Sequence, residues 1–93
     1  MIDPDDPTVE AAVLGQEAEL FLTGKLGQYL ITRVDSEIEE SRQLLETTNP
    51  WRRRRITELQ NKIWRAQSFK SWMAEIIQDG RNSLRVIEEN DAP

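Results

Sequence analysis

The most regular pattern in the chain is an apolar series after Pro50, with spacings that alternate between three and four residues. Its positions are Ile56, Leu59, Ile63, Ala66, Lys70, Met73, Ile77, Gly80, Leu84 and Ile87, of which only Lys70 and Gly80 are not apolar. This spacing has the 3.5-residue period of a coiled-coil seam. It predicts a long third helix over 50–79, where Asp79-Gly80 ends or kinks it, with an extension to 89.

Two further helical segments precede this series. A stripe at spacings of four and seven predicts a helix over 25–47, and its members are Leu26, Leu30, Val34, Ile38 and Leu45. A shorter helix is predicted over 7–22, with Asp6 as N-cap and Pro7 as its first residue. Its apolar set is Val9, Val13, Leu14, Leu20 and Phe21, and Gly15 weakens its middle. Thr23-Gly24 is predicted to separate the first helix from the second, with Thr23 as the N-cap of the second helix.

The connection Thr47-Thr48-Asn49-Pro50 predicts a tight turn, because Asn49 and Pro50 are typical helix-start residues. So short a connection forces the second and third helices to run antiparallel. The predicted fold is all-α: a long antiparallel helical hairpin preceded by a short N-terminal helix. We expect a single domain over 7–89, between a disordered acidic tail over 1–6 and a second tail over 90–93.

The third helix carries more apolar surface than one facing helix covers. Phe69, Trp72 and Ile76 form a shoulder beside the seam residue Met73, and Trp64 falls on the other flank. One interpretation is that the first helix folds back over this shoulder. The other is a surface for self-association or for a partner, formed by Trp64, Phe69, Trp72, Met73 and Ile76. We expect two hairpins to pair through it into a four-helix core.

Composition and charge argue against catalysis and against binding of anions by the whole surface. The 93-residue chain has a formal net charge of −5, and it contains neither Cys nor His. These absences remove the thiol nucleophile, the commonest general base and the commonest transition-metal ligand. We therefore expect no enzyme, metal, cofactor or small-molecule substrate. No apolar run approaches the length of a membrane span, so no membrane partner is expected.

A basic run, Trp51-Arg52-Arg53-Arg54-Arg55, stands out in this acidic chain. One interpretation is contact with phosphates or nucleic acid, with Trp51 stacking on a base. The other is ion pairing across the hairpin with glutamates near the end of the second helix, such as Glu40 and Glu46. Four consecutive Arg side chains point in different directions around a helix, so the second interpretation still leaves one or two of them free.

Two stretches resemble small helical proteins that tailed bacteriophages and prophages encode, often among head and packaging genes. They are Leu14-Gly15-Gln16-Glu17-Ala18-Glu19-Leu20-Phe21-Leu22 with Leu26-Gly27-Gln28-Tyr29-Leu30, and Glu58-Leu59-Gln60-Asn61-Lys62-Ile63-Trp64-Arg65-Ala66-Gln67-Ser68-Phe69. The resemblance spans residues 14–77 and does not include the Arg52–Arg55 run. It implies a virion, assembly or packaging-accessory role, located in the host cytoplasm or the virion.

The leading functional hypothesis is a non-enzymatic adaptor that binds itself and another phage protein through its helices. The first alternative is a packaging accessory that binds nucleic acid through Arg52–Arg55. The second is a small acidic inhibitor of a host protein, which the net charge permits.

Overall fold

The computed structural model describes residues 6–91, and every regular element in this range is an α-helix. Helix α1 spans Pro7–Thr23, α2 spans Lys25–Thr47 and α3 spans Arg53–Asp91. The predicted tail over 1–6 lies outside the described residues except for Asp6, as do residues 92 and 93 of the second tail. The all-α prediction is confirmed.

Helices α2 and α3 form the predicted antiparallel hairpin. Two ion pairs fix their relative direction: Lys70 Nζ lies 2.7 Å from Asp35 Oδ1, and Arg65 Nη2 lies 3.6 Å from Glu37 Oε1. The residue number therefore rises along α2 as it falls along α3. Helix α1 packs further along α3, where Gly15 contacts Gly80. The result is a rod of 65 × 26 × 19 Å in which α1 and α2 follow one another along α3.

The start of α1 follows the sequence signal, whereas α2 lacks the predicted cap. The Asp6 carboxylate accepts a hydrogen bond from the Thr8 N–H at 2.9 Å, and Pro7 occupies the first turn. Gly24, and not Thr23, is the N-cap of α2, with no side-chain cap. The Thr23 hydroxyl instead donates to the Leu20 carbonyl at 3.0 Å, which is one turn back in α1.

The hairpin turn is at the predicted place, but α3 begins three residues later than predicted. The Asn49 side-chain oxygen accepts from the Trp51 N–H at 2.9 Å, and the Asn49 carbonyl accepts from the Arg52 N–H at 2.9 Å. These bonds close a turn over 49–52 rather than the first turn of a helix. The ladder of α3 then starts with the Ile56 N–H donating to the Arg52 carbonyl at 3.0 Å.

The predicted helix end at Asp79-Gly80 is wrong, because α3 continues as one helix to Asp91 and includes Asn90 and Asp91 of the predicted tail. Gly80 is buried against Gly15 of α1. A Cβ on Gly15 would lie 2.6 Å from the Gly80 Cα, so the two backbones are in contact. Gly80 therefore serves a close helix crossing and not a helix end.

Helix α1 uses a different face from the predicted one. Its buried residues are Ala12, Gly15 and Ala18, whereas Val13, Leu14 and Leu20 are exposed. The close approach at Gly15 explains this choice, because only small side chains fit between helices whose backbones touch.

The predicted seam of α3 is confirmed as the face toward the other two helices. Leu59 is fully buried, with 0% exposure, and Ala66 and Gly80 are also buried. Lys70 is the exposed exception and binds Asp35. On α2, Ile38 and Ser41 are buried, while Leu26 of the predicted stripe is exposed.

Candidate interaction surfaces

An exposed apolar ridge runs along α3 beside the buried seam. Trp72 is 60% exposed, Ile76 is exposed and Phe69 is half-buried. The spacing of three and four residues places these three side chains on one face. Met73, which was predicted both in the seam and on this surface, is half-buried in the seam.

Helix α2 carries two exposed apolar side chains at the same level of the rod as the ridge. The Arg65–Glu37 and Lys70–Asp35 pairs set the antiparallel register, which places the first turns of α2, with Leu26 and Tyr29, beside the part of α3 that follows Lys70. Tyr29 is 59% exposed and Leu26 is 63% exposed. We call Leu26, Tyr29, Phe69, Trp72 and Ile76 the mid-rod patch.

Trp64 does not belong to the mid-rod patch. Steps of four, three and four residues from Trp64 lead to Ser68, Ser71 and Glu75, so its face of α3 is polar. Trp64 is exposed and lines a shallow open depression together with Asn61 and Arg65. The five surface residues of the sequence analysis are therefore split: Phe69, Trp72 and Ile76 lie together, Met73 faces inward and Trp64 faces elsewhere.

Helix α1 does not cover the patch. Trp72 and Ile76 both stay exposed in the presence of α1, which is placed with its small residues against Gly80. The interpretation in which the first helix folds over the shoulder is therefore wrong for these two side chains. The reason is that α1 binds α3 through its small-residue face, and its own Val13, Leu14 and Leu20 add to the exposed apolar surface. The only sequence signal for this face was three small residues at a spacing of three.

The basic run at the hairpin turn does not form ion pairs with the glutamates of α2. Arg55 Nη1 lies 3.6 Å from Glu58 Oε2 within α3. Arg52, Arg53 and Arg54 are exposed and have no ion pair with any residue in the 6–91 range. The two ion pairs between α2 and α3 use Arg65 and Lys70, further from the turn. The interpretation of the run as an ion-pairing device across the hairpin is therefore wrong.

Trp51 precedes these arginines and is 86% exposed. Together with Arg52–Arg55 and Glu58 it borders a shallow open depression at the turn end of the rod. An exposed indole next to three guanidinium groups that pair with no described carboxylate has the composition of a phosphate-binding and base-stacking surface. We call Trp51 and Arg52–Arg55 the basic end.

The described part of the chain has no group of three or more acidic, His or Cys side chains placed to hold a metal ion. Among residues 6–91, no helix is long and apolar enough to cross a membrane. The acidic side chains of Glu39, Glu40, Glu88 and Glu89 are all exposed. Comparison with models of protein families, with curated proteins and with solved structures finds no match.

Proposed function

We propose that this chain is a non-enzymatic assembly protein that acts through helix-mediated association, first of all with itself. The observation that carries the proposal is the mid-rod patch, in which Trp72, Tyr29 and Leu26 remain largely exposed although the chain is folded. Soluble monomers rarely expose contiguous apolar patches of this kind, and such patches commonly mark interaction sites.

The free energy available from covering the patch is substantial. An aromatic side chain buries roughly 150–250 Å² when it is fully covered, and burial of apolar surface contributes about 25 cal/mol per Å². Covering the exposed part of Trp72 and Tyr29 alone is therefore worth several kcal/mol before the cost of association is subtracted. A rod this thin has little interior of its own, which favours burial between chains.

The proposed role is not catalytic. The chain contains no His and no Cys, and most acidic residues in the 6–91 range are exposed. The resemblance to phage-encoded helical proteins supports an accessory role in head assembly or packaging, with a second phage protein as a further partner. The position of the gene tests that setting, since a location among head and packaging genes supports it and a location among cellular metabolic genes argues against it.

Sedimentation equilibrium tests the self-association. We expect the wild type to sediment as a dimer or larger assembly at micromolar concentration, and Trp72→Ala to dissociate it. The matched control is Trp64→Ala, because Trp64 lies on the same helix with a similar exposure of 65% but on a polar face. A folded wild-type monomer at high micromolar concentration contradicts the proposal, as does equal weakening by the two substitutions.

A second candidate function, nucleic-acid binding, is favoured by one specific observation. The basic end combines an indole that is 86% exposed with Arg52–Arg54, which have no ion pairs in the described range. Titration of a fluorescent single-stranded oligonucleotide and a duplex at rising salt tests it. Binding that weakens with salt and is lost in Trp51→Ala combined with Arg52→Ala and Arg53→Ala supports this function. Absence of binding to both probes at low salt removes it.

A further inference from the structure

The three α3 residues of the mid-rod patch, Phe69, Trp72 and Ile76, form the centre of a second heptad series on this helix, distinct from the buried seam. Spacings of four and three lead from Arg65 through Phe69, Trp72 and Ile76 to Asp79 and Ser83. Alternation of four and three keeps these side chains on one ridge, as in a coiled coil. The other described helices leave most of this ridge exposed. The ridge therefore has the form of a helix-pairing surface that lacks its second helix.

The charges on this ridge are arranged symmetrically about Trp72. Arg65 lies seven residues before Trp72 and Asp79 lies seven residues after it, so one heptad separates each charge from the indole. Both charged residues are exposed. Arg65 contacts Glu37 at 3.6 Å, and Asp79 makes no ion pair within the described range. The ridge is thus basic on one side of its centre and acidic on the other.

We propose that a second copy of this chain occupies the ridge in the antiparallel direction, with a two-fold axis at Trp72. This inference rests on the proposed self-association and adds its geometry. About such an axis, Arg65 of each copy lies opposite Asp79 of the other, and the two Trp72 side chains meet at the centre. A parallel pair would instead place Arg65 against Arg65 and Asp79 against Asp79, which is unfavourable. The charges therefore select the antiparallel direction, and a two-fold dimer closes without further growth.

The charges at the two ends of the rod also favour antiparallel pairing about Trp72. Trp72 is also the midpoint of α3, which spans Arg53–Asp91, so the axis pairs the two long helices over their full length. It brings the basic end of one copy near the acidic C-terminal segment of α3 in the other. That segment contains Glu88, Glu89 and Asp91. Opposite charges then meet at both ends of the dimer.

Charge reversal tests the direction of pairing, with the dimer dissociation constant measured by sedimentation equilibrium on the full chain. Arg65→Asp and Asp79→Arg each place like charges opposite one another twice in an antiparallel dimer, and we expect each to raise the dissociation constant by at least about tenfold. The double variant Arg65→Asp/Asp79→Arg restores opposite charges and returns the constant to within about threefold of wild type. The control Arg85→Asp changes the net charge by the same amount as Arg65→Asp, at an exposed position off the ridge.

Each outcome of this experiment decides the inference. Weakening by both single variants with recovery in the double variant supports it. If the wild type is a dimer and the single variants weaken it no more than Arg85→Asp does, the antiparallel geometry is overturned and the self-association stands. The same conclusion follows if the double variant does not recover the dimer. A wild-type monomer overturns both.

A disulfide experiment covers the case in which a charge variant fails to fold. The chain has no cysteine, so Asn61→Cys combined with Ser83→Cys introduces the only two thiols. These positions lie eleven residues on either side of Trp72, and about 33 Å of helix separates them within one chain, so they cannot bridge to each other there. An antiparallel dimer forms 61–83 disulfides between copies on oxidation. Disulfides that join only 61 to 61 and 83 to 83 show a parallel pair and overturn the inference.

Discussion

Gly15 of α1 and Gly80 of α3 face each other so closely that a Cβ built on either one lies 2.6 Å from the Cα of the other. Real Cβ atoms do not approach a backbone atom this closely, so any side chain at either position moves the helices apart. The position of α1 on the rod, and with it the exposure of the mid-rod patch, depends on this contact.

We expect Gly80→Ala to destabilise the fold by about 1–3 kcal/mol, the usual range for overpacking, although alanine is the better helix former by about 1 kcal/mol. Thermal unfolding followed by circular dichroism at a fixed chain concentration measures the effect. Gly24→Ala is the control, because a Cβ on Gly24 finds its nearest neighbour at an ordinary 3.5 Å. A Gly80→Ala protein as stable as wild type would show that α1 is not held by the crossing.

Leu59→Ala tests the hairpin core. Leu59 is the one large side chain among residues 6–91 that is fully buried, and such truncations cost about 2–5 kcal/mol. Chemical denaturation gives the free energy of unfolding. Leu44→Ala is the matched control on the facing helix, since Leu44 is exposed, and a cost below about 1 kcal/mol is expected for it. Equal costs for the two variants would contradict the assignment of the seam.

Arg52→Ala combined with Arg53→Ala should change the free energy of unfolding by less than about 0.5 kcal/mol. Neither arginine forms an ion pair with the described residues, so no intramolecular contact is lost. Denaturation in dilute protein, where association does not contribute, is the appropriate measurement. A loss of more than about 1 kcal/mol would mean that the basic end supports the fold of a single chain.

The hairpin was predictable because its signals are local. Asp6-Pro7 and Asn49-Pro50 are strong punctuation, and the heptad positions from Ile56 to Ile87 determine which face of α3 is buried. The three-residue delay in the start of α3 was not predictable from residue types, because Asn49 and Pro50 are equally typical of a turn.

The face of α1 was not predictable from hydrophobicity. Ala12, Gly15 and Ala18 carry almost no hydrophobic signal, and the large residues Val13, Leu14 and Leu20 suggested the opposite face. Gly80 was interpreted as a helix end because glycine commonly terminates helices. Its role in a close helix crossing becomes visible only when Gly15 of α1 is seen against it. Because the contact face of α1 was not predictable, the sequence alone did not show whether Trp72 is exposed or covered by α1.

The most direct test of the account is the mass and the largest dimension of the wild-type chain in solution, measured together by light scattering and small-angle X-ray scattering. An antiparallel dimer centred on Trp72 has twice the 10.8 kDa mass of one chain, while its largest dimension stays close to the 65 Å of a single rod. A particle of 10.8 kDa at high micromolar concentration would contradict the proposed self-association, and a dimer much longer than one rod would contradict pairing through the mid-rod patch.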